Sequence, residues 1–441
     1  MSVDYWSLTF DADGAVAGPP DAAQLIAAIV AAGTTNLFVM SHGWGNTTAD
    51  AKHLYDTMFP LIQADPGCPA EAQFLGIFWP SIWFPEPAKA DQSAVAAAVA
   101  AGAPGAADAA VSGAAIAASV APSLPKGAAA ALTKMGALVD TGLAQVAAGT
   151  GTPAAHTAAL TTFHELLGQV FDGHAVATED DGESALLRSA DPQADYQALA
   201  QTMGSAPAAG DTEGLGDIFA TVWNGAKDAL RIGSYFEMKA RAGDVGQKGL
   251  GPFLEQLHTT SGELRVHLVG HSFGARLVSF ALAGISSAQA SPVGSLTLVQ
   301  GAFSHWAFTQ LADNPFTEPG ALCGFPDRVH GPLVATFTEA DWAVGNWYPK
   351  ASFLAQQSSQ GATPEGQWDG MGKDGFREVN PSGDLTLPLS SAPALRAGTF
   401  YRADASTVIR DTSQSSFAGA HSDILHPEVA ALIVAAATAG K

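Results

Sequence analysis

The chain has 441 residues, 42 acidic against 20 basic, for a formal net charge of -22. That length exceeds what one hydrophobic core usually organises, so one principal domain with a sizeable insertion, or two domains, is expected. The acidic excess disfavours nucleic acid and anionic membrane surfaces as partners, since both repel a polyanion.

Met1 to Gly14 holds three aspartates and no basic residue ahead of any apolar run, unlike a secretory signal, so cytoplasmic residence is the expectation. Cys68 and Cys323 form at most one disulfide, and the sequence leaves their pairing open. In chain order, strand-like and helix-like stretches alternate: a strand at Tyr5 to Phe10, a helix at Asp21 to Ala32, a buried strand at Thr35 to Met40, a helix at Thr47 to Ala64 and a strand at Phe74 to Trp79. Such alternation predicts a mostly parallel central sheet flanked by helices.

From about Pro85 the composition changes. Ala90 to Gly151 is dominated by alanine and glycine, interrupted by Pro104, Pro122 and Pro125, which predicts several helices rather than a membrane span. Two later stretches have sharper apolar faces, one containing Leu160, Phe163 and Leu167, the other Ile218, Val222 and Trp223. Alternation resumes with strands at Arg265 to Val269, Ser295 to Gln300, Leu333 to Phe337 and Thr399 to Tyr401, before a terminal helix from Pro427 to Ala437. Residues 1–85 and 242–441 therefore form one α/β domain, discontinuous in sequence, and residues 86–241 a large Ala-rich helical insertion.

The sharpest motif is Gly270-His271-Ser272-Phe273-Gly274, which an apolar strand enters and a helical pattern leaves. A strand-to-helix turn of this kind holds its serine strained and exposed at the carboxyl end of the sheet. Side chains at Gly270 and Gly274 would collide with neighbouring backbone, and the helix N-terminus offers amide donors to developing negative charge.

On these residues the chain resembles the α/β-hydrolase superfamily of serine hydrolases, esterase-like or lipase-like, with the insertion as a cap placed ahead of the serine turn, where the commoner position is after a later strand. The resemblance implies Ser272 as nucleophile and the Phe273 amide as one oxyanion donor. Met40-Ser41-His42-Gly43-Trp44-Gly45 resembles the superfamily's His-Gly loop, which implies the Trp44 amide as the second donor, supported by His42 and Gly43. The superfamily order of nucleophile, acid and histidine then points to Asp341 in the loop after Leu333 to Phe337, with Glu339 as the alternative. His421, in a loop before the terminal helix, is the implied base, and His426, abutting Pro427, is its competitor.

Trp79, Trp83, Trp306 and Trp342 lie just beyond expected strand ends and are candidates to line an apolar acyl or aromatic pocket. Lys239 and Arg241 are candidates for a substrate carboxylate, and the apolar faces bearing Phe163 and Trp223 are candidates to close the pocket from the insertion. The implied reaction is hydrolysis of a small-molecule carboxylic ester through an acyl-enzyme, with no cofactor and no metal. Asp11-Ala12-Asp13-Gly14 carries only part of a calcium-loop pattern and reads as a strand-end turn. An amidase or peptidase using the same three side chains, and a non-catalytic binding protein on the same fold, are the alternatives. Sequence leaves the oligomeric state open.

Overall fold

A computed structural model describes residues 3–81, 112–121, 124, 126–171, 187, 189–203, 215–313, 315–316, 318–344, 368–391, 393–413 and 418–439. Among the described residues eight strands form one sheet: β1 (Trp6–Thr9), β2 (Asn36–Ser41), β3 (Ala72–Phe78), β4 (Arg265–His271), β5 (Val293–Val299), β6 (Leu333–Phe337), β7 (Ser382–Thr386) and β8 (Phe400–Asp404). Their spatial order is β1-β3-β2-β4-β5-β6-β8-β7, and every neighbouring pair is parallel.

Central strands of a parallel sheet are covered on both faces, and β2 and β5 are accordingly buried at every position. Successive residues of β2 serve opposite faces. Leu37 and Val39 join one apolar cluster with Ile26, Leu254 and Leu277, while Phe38 and Met40 join the other with Tyr55, Phe59 and Ile433. The helices Ala22–Ala31 (α1) and Thr48–Ala64 (α2) begin where sequence placed them because Asp21 and Thr47 make reciprocal capping boxes with Gln24 and Asp50.

The insertion contributes α3 (Gly113–Val120), α4 (Ala129–Ala147), α5 (Pro153–Val170), α6 (Pro192–Met203) and α7 (Leu215–Asp244). They enclose a third apolar cluster, in which Phe163 and Trp223 are fully buried. Trp223 Nε1 donates to His156 Nδ1 at 3.1 Å, and Phe163 meets the Tyr196 ring edge-on at 5.6 Å. The expectation that these two faces close a pocket over the sheet is therefore corrected: helices of this length must first bury their apolar stripes against each other. Tyr235 on α7 instead packs against both the insertion cluster and the sheet cluster.

The boundary expected at residues 241–242 falls within a helix. α7 runs through it into a π-helical turn, Val245–Leu250, and on into α8 (Gly251–Thr260), so the insertion returns to the sheet along a continuous helical path. Among the described residues no helix is long and apolar enough to cross a membrane.

Candidate active site

Strand β4 ends at His271 and helix α9 (Phe273–Gly284) begins two residues later, leaving Ser272 alone in the turn at φ 57°, ψ -125°. A non-glycine residue with such a positive φ is strained, and the turn persists because its surroundings leave no alternative. A Cβ on Gly270 would lie 2.4 Å from Ala275 Cα, and one on Gly274 would lie 2.2 Å from the Ser41 carbonyl oxygen, so only glycine permits this packing. The Phe273 amide belongs to the first turn of α9, where N–H groups have no intrahelical acceptor.

Strand β2 lies beside β4 with Ser41 opposite Gly270, which sets the following residues, His42 to Trp44, against Ser272. Contact is so close that a Cβ on Gly43 would come 2.5 Å from Ser272 Cβ and 3.1 Å from its Oγ. The loop is held from beneath. His42 stacks on Trp79 with ring centroids 5.6 Å apart, and Trp79 Nε1 donates to the His42 carbonyl at 3.1 Å. The His42 amide donates to Tyr55 Oη at 3.0 Å, and Asn46 Nδ2 donates to the Gly43 carbonyl at 3.0 Å. The Trp79 indole thus supports the loop. Trp44 turns toward the insertion, meeting Tyr235 edge-on at 5.6 Å and lying 6.1 Å from the Phe273 ring.

Asp341 lies just past β6 and is fully buried. Its Oδ2 accepts from His421 Nδ1 at 2.7 Å and from Gln300 Nε2 at 2.9 Å, while Oδ1 accepts from the Val344 amide at 3.0 Å. The two loops are zipped together by an antiparallel bridge between Asp341 and Gly419 and by the Ala420 amide donating to the Ala340 carbonyl at 2.9 Å. Glu339, the alternative acid, is exposed. His426, the alternative base, bonds to Asp423 at 2.8 Å and stands at the N-cap of helix α10 (Pro427–Thr438).

Two partners went unread in the sequence. Gln300, at φ 48° where β5 ends, fixes Asp341 and receives the Thr336 hydroxyl proton on its own Oε1 at 2.9 Å. The signal was a buried amide closing an apolar strand, and its meaning depends on β6 lying alongside. His271, noted only as part of the turn, places Nε2 2.9 Å from the His421 carbonyl oxygen, and the two rings lie 5.0 Å apart. Since a carbonyl only accepts, His271 Nε2 carries the proton. Ser272 Oγ makes no hydrogen bond to His421, although His421 is anchored through the residue next to the serine; contacts of this kind are often long until a reacting group binds.

Trp342 is 37% exposed at the rim beside Gly419, and Trp306 is buried against His305. Trp83 lies outside the described residues. Lys239 and Arg241 are buried, with Arg241 bound to Glu237 and to the Pro80 carbonyl, each at 3.1 Å. Among the described residues no set of three His, Cys, Asp or Glu side chains gathers as a metal site, and Asp11 Oδ1 caps its own turn through the Asp13 and Ala15 amides.

Burial pushes the His42 pKa down to about 4, and burial together with the nearby His421 pushes that of His271 down to about 3. The unfolded chain protonates its histidines near pH 6.5. Stability from these groups is therefore fully present above pH 6.5 and is lost as pH falls through that value toward 4 and then 3, on the order of a few kcal/mol per group. Thermal unfolding should show the melting temperature falling across this window, with a shallower fall for His271→Gln; identical slopes for variant and wild type would contradict the assignment for His271.

No family model matches this chain, and neither a curated protein nor a solved structure matches it.

Proposed function

We propose that this protein is a serine hydrolase of the α/β-hydrolase type that cleaves carboxylic esters. The observation that carries this reading is the 2.7 Å bond from His421 Nδ1 to the buried Asp341 carboxylate, assembled next to a serine held at φ 57° between β4 and α9. With Nδ1–H given to Asp341, the neutral ring keeps Nε2 as a proton acceptor.

In this mechanism His421 takes the Ser272 proton as the hydroxyl oxygen attacks the ester carbonyl. The amides of Phe273 and Trp44 receive the negative charge that develops on the carbonyl oxygen. The alkoxide leaves with the proton from His421, and water, activated by the same imidazole, then cleaves the acyl-serine. Helix α7 brings Tyr235 to within 5.0 Å of the Phe273 ring, which supports a role for the insertion as a cap beside the acyl-binding space.

A fluorophosphonate probe tests the reading. Wild-type protein is expected to label, and Ser272→Ala to lose both labelling and ester turnover; equal labelling of both proteins, or none of the wild type, refutes it. His271 enters the same scheme as a positioning residue. His271→Ala should lower kcat by about 10–100-fold with little change in KM, because displacing the base by about 1 Å costs that much. His271→Gln, whose amide can still donate to the His421 carbonyl, should recover most of the loss. Equal losses in both variants would reduce His271 to a packing residue.

A further inference from the structure

The loop that follows β5 carries a second histidine–carboxylate pair outside the mechanism above. His305 Nδ1 donates to Asp374 Oδ1 at 2.7 Å, and the other Asp374 oxygen pairs with Arg377 at 3.2 Å. The His305 side chain is 1% exposed, and its Nε2 is buried with no hydrogen-bond partner among the described residues. Arg377 Nε and Trp368 Nε1 are likewise buried without partners. His305, Trp306 and Arg377 form one knot: the His305 ring meets Trp306 edge-on at 4.9 Å, and the Arg377 guanidinium lies 5.7 Å from the same indole. The backbone ties it further, with the His305 amide donating to the Asp369 carbonyl at 3.4 Å and the Arg377 amide donating to that of His305 at 3.1 Å.

The knot is attached directly to the candidate active site. The Ala302 amide, three residues before His305, donates to the Ser272 carbonyl at 3.2 Å. The Gly372 amide, two residues before Asp374, donates to the Gly301 carbonyl at 2.9 Å, and Gly372 packs against Asp341 so closely that a Cβ would lie 3.2 Å from Oδ2. On its outer side Arg377 also lines a polar groove of about 240 Å³ with Glu378, Ser382, Asp384 and Arg402.

A buried polar atom left unbonded costs about 1–3 kcal/mol, and native structures hold few of them. Two of them beside one indole, His305 Nε2 and Arg377 Nε, call for a partner. We infer that His305 belongs to a polar subsite that takes a hydroxyl group of the substrate. Asp374 takes up Nδ1, which leaves Nε2 to bond another group. A hydroxyl both donates and accepts, so it can serve that nitrogen while its oxygen accepts from Arg377 Nε, which is a donor only. An unsubstituted alkyl chain offers no such group. This inference rests on the hydrolase reading for where the substrate lies, and it narrows the substrate to hydroxyl-bearing esters.

The hydroxyl can sit on the acyl or on the alcohol portion, and two matched pairs separate these sources: methyl 3-hydroxybutyrate against methyl butyrate, and glycerol monobutyrate against propyl butyrate. On at least one pair, wild-type kcat/KM should favour the hydroxylated ester by roughly 10-fold or more, since a site built to bond a hydroxyl discriminates against its absence. His305→Phe should bring that ratio close to one, and His305→Gln provides the same comparison if the Phe variant fails to fold. A wild-type ratio near one on both pairs, or a ratio unchanged in the variants, overturns the subsite. Calorimetric binding of the same esters to Ser272→Ala protein requires no chemistry and separates the two readings. Preferential binding of a hydroxylated ester that is lost on adding His305→Phe supports the subsite even if the wild type proves inactive, whereas equal binding refutes it.

Discussion

Asp341→Asn is expected to lower kcat by about four orders of magnitude while leaving the fold intact. Every contact described for this carboxylate comes from a donor: His421 Nδ1 and Gln300 Nε2 on Oδ2, and the Val344 amide on Oδ1. An asparagine supplies one oxygen and one NH2 group to that set. With its oxygen kept on the Val344 amide, the NH2 faces His421 and Gln300, so His421 must accept at Nδ1 and carry its proton on Nε2. The ring can then no longer take a proton from Ser272. Circular dichroism should remain at the wild-type level, because the replacement conserves volume at a fully buried position. Glu339→Gln, at an exposed position, should leave turnover within about two-fold, as for most surface changes. A large loss in Glu339→Gln beside a near-wild-type Asp341→Asn would reverse the assignment.

Gly43→Ala is expected to be the other severe change, lowering kcat by about 10²–10³-fold, the scale associated with misplacing a reacting group or losing one oxyanion donor. The added methyl would stand 2.5 Å from Ser272 Cβ, inside any real contact distance. Neither side yields readily: Ser272 is fixed between β4 and α9, and the loop is clamped through His42 by Trp79 and Tyr55. Relief must come from shifting the Trp44 amide or rotating the serine, and either disrupts the attack geometry. Gly127→Ala, where nothing lies within 4 Å of the added Cβ, is the matched control and should retain activity. Turnover of Gly43→Ala within about three-fold of wild type, far inside that scale, would show that the His42 to Trp44 loop takes no part in the chemistry.

The insertion and the sheet differ in how plainly they were written in the chain. Strands β2, β4, β5 and β6 were legible because each is an apolar run bounded by turn residues, as burial on both faces of a parallel sheet demands. The capped helices after Asp21 and Thr47 were legible because the capping residues act on their own first turn. β7 was missed because Ser382-Gly383-Asp384-Leu385-Thr386 is an edge strand with alternating exposure and little apolar signal. The orientation of the Phe163 and Trp223 faces was misjudged because amphipathicity tells that a face is buried and not what buries it.

By itself the sequence determined the alternation that makes an α/β sheet, the glycine-flanked turn that strains Ser272, and the residue types able to act with it. Those are local properties, set by backbone sterics and by burial patterns within a few residues. Only the tertiary structure decided that His421 meets Asp341 rather than Glu339, that Gln300 and His271 hold the pair from opposite sides, and that Trp79 supports the His42 loop from below. These contacts join loops that lie far apart in sequence and meet only because β2, β4, β5 and β6 are neighbours in the sheet, all ending on the same side. Their specificity comes from hydrogen-bond geometry at distances near 3 Å, which no pattern of residue types along one strand or helix encodes.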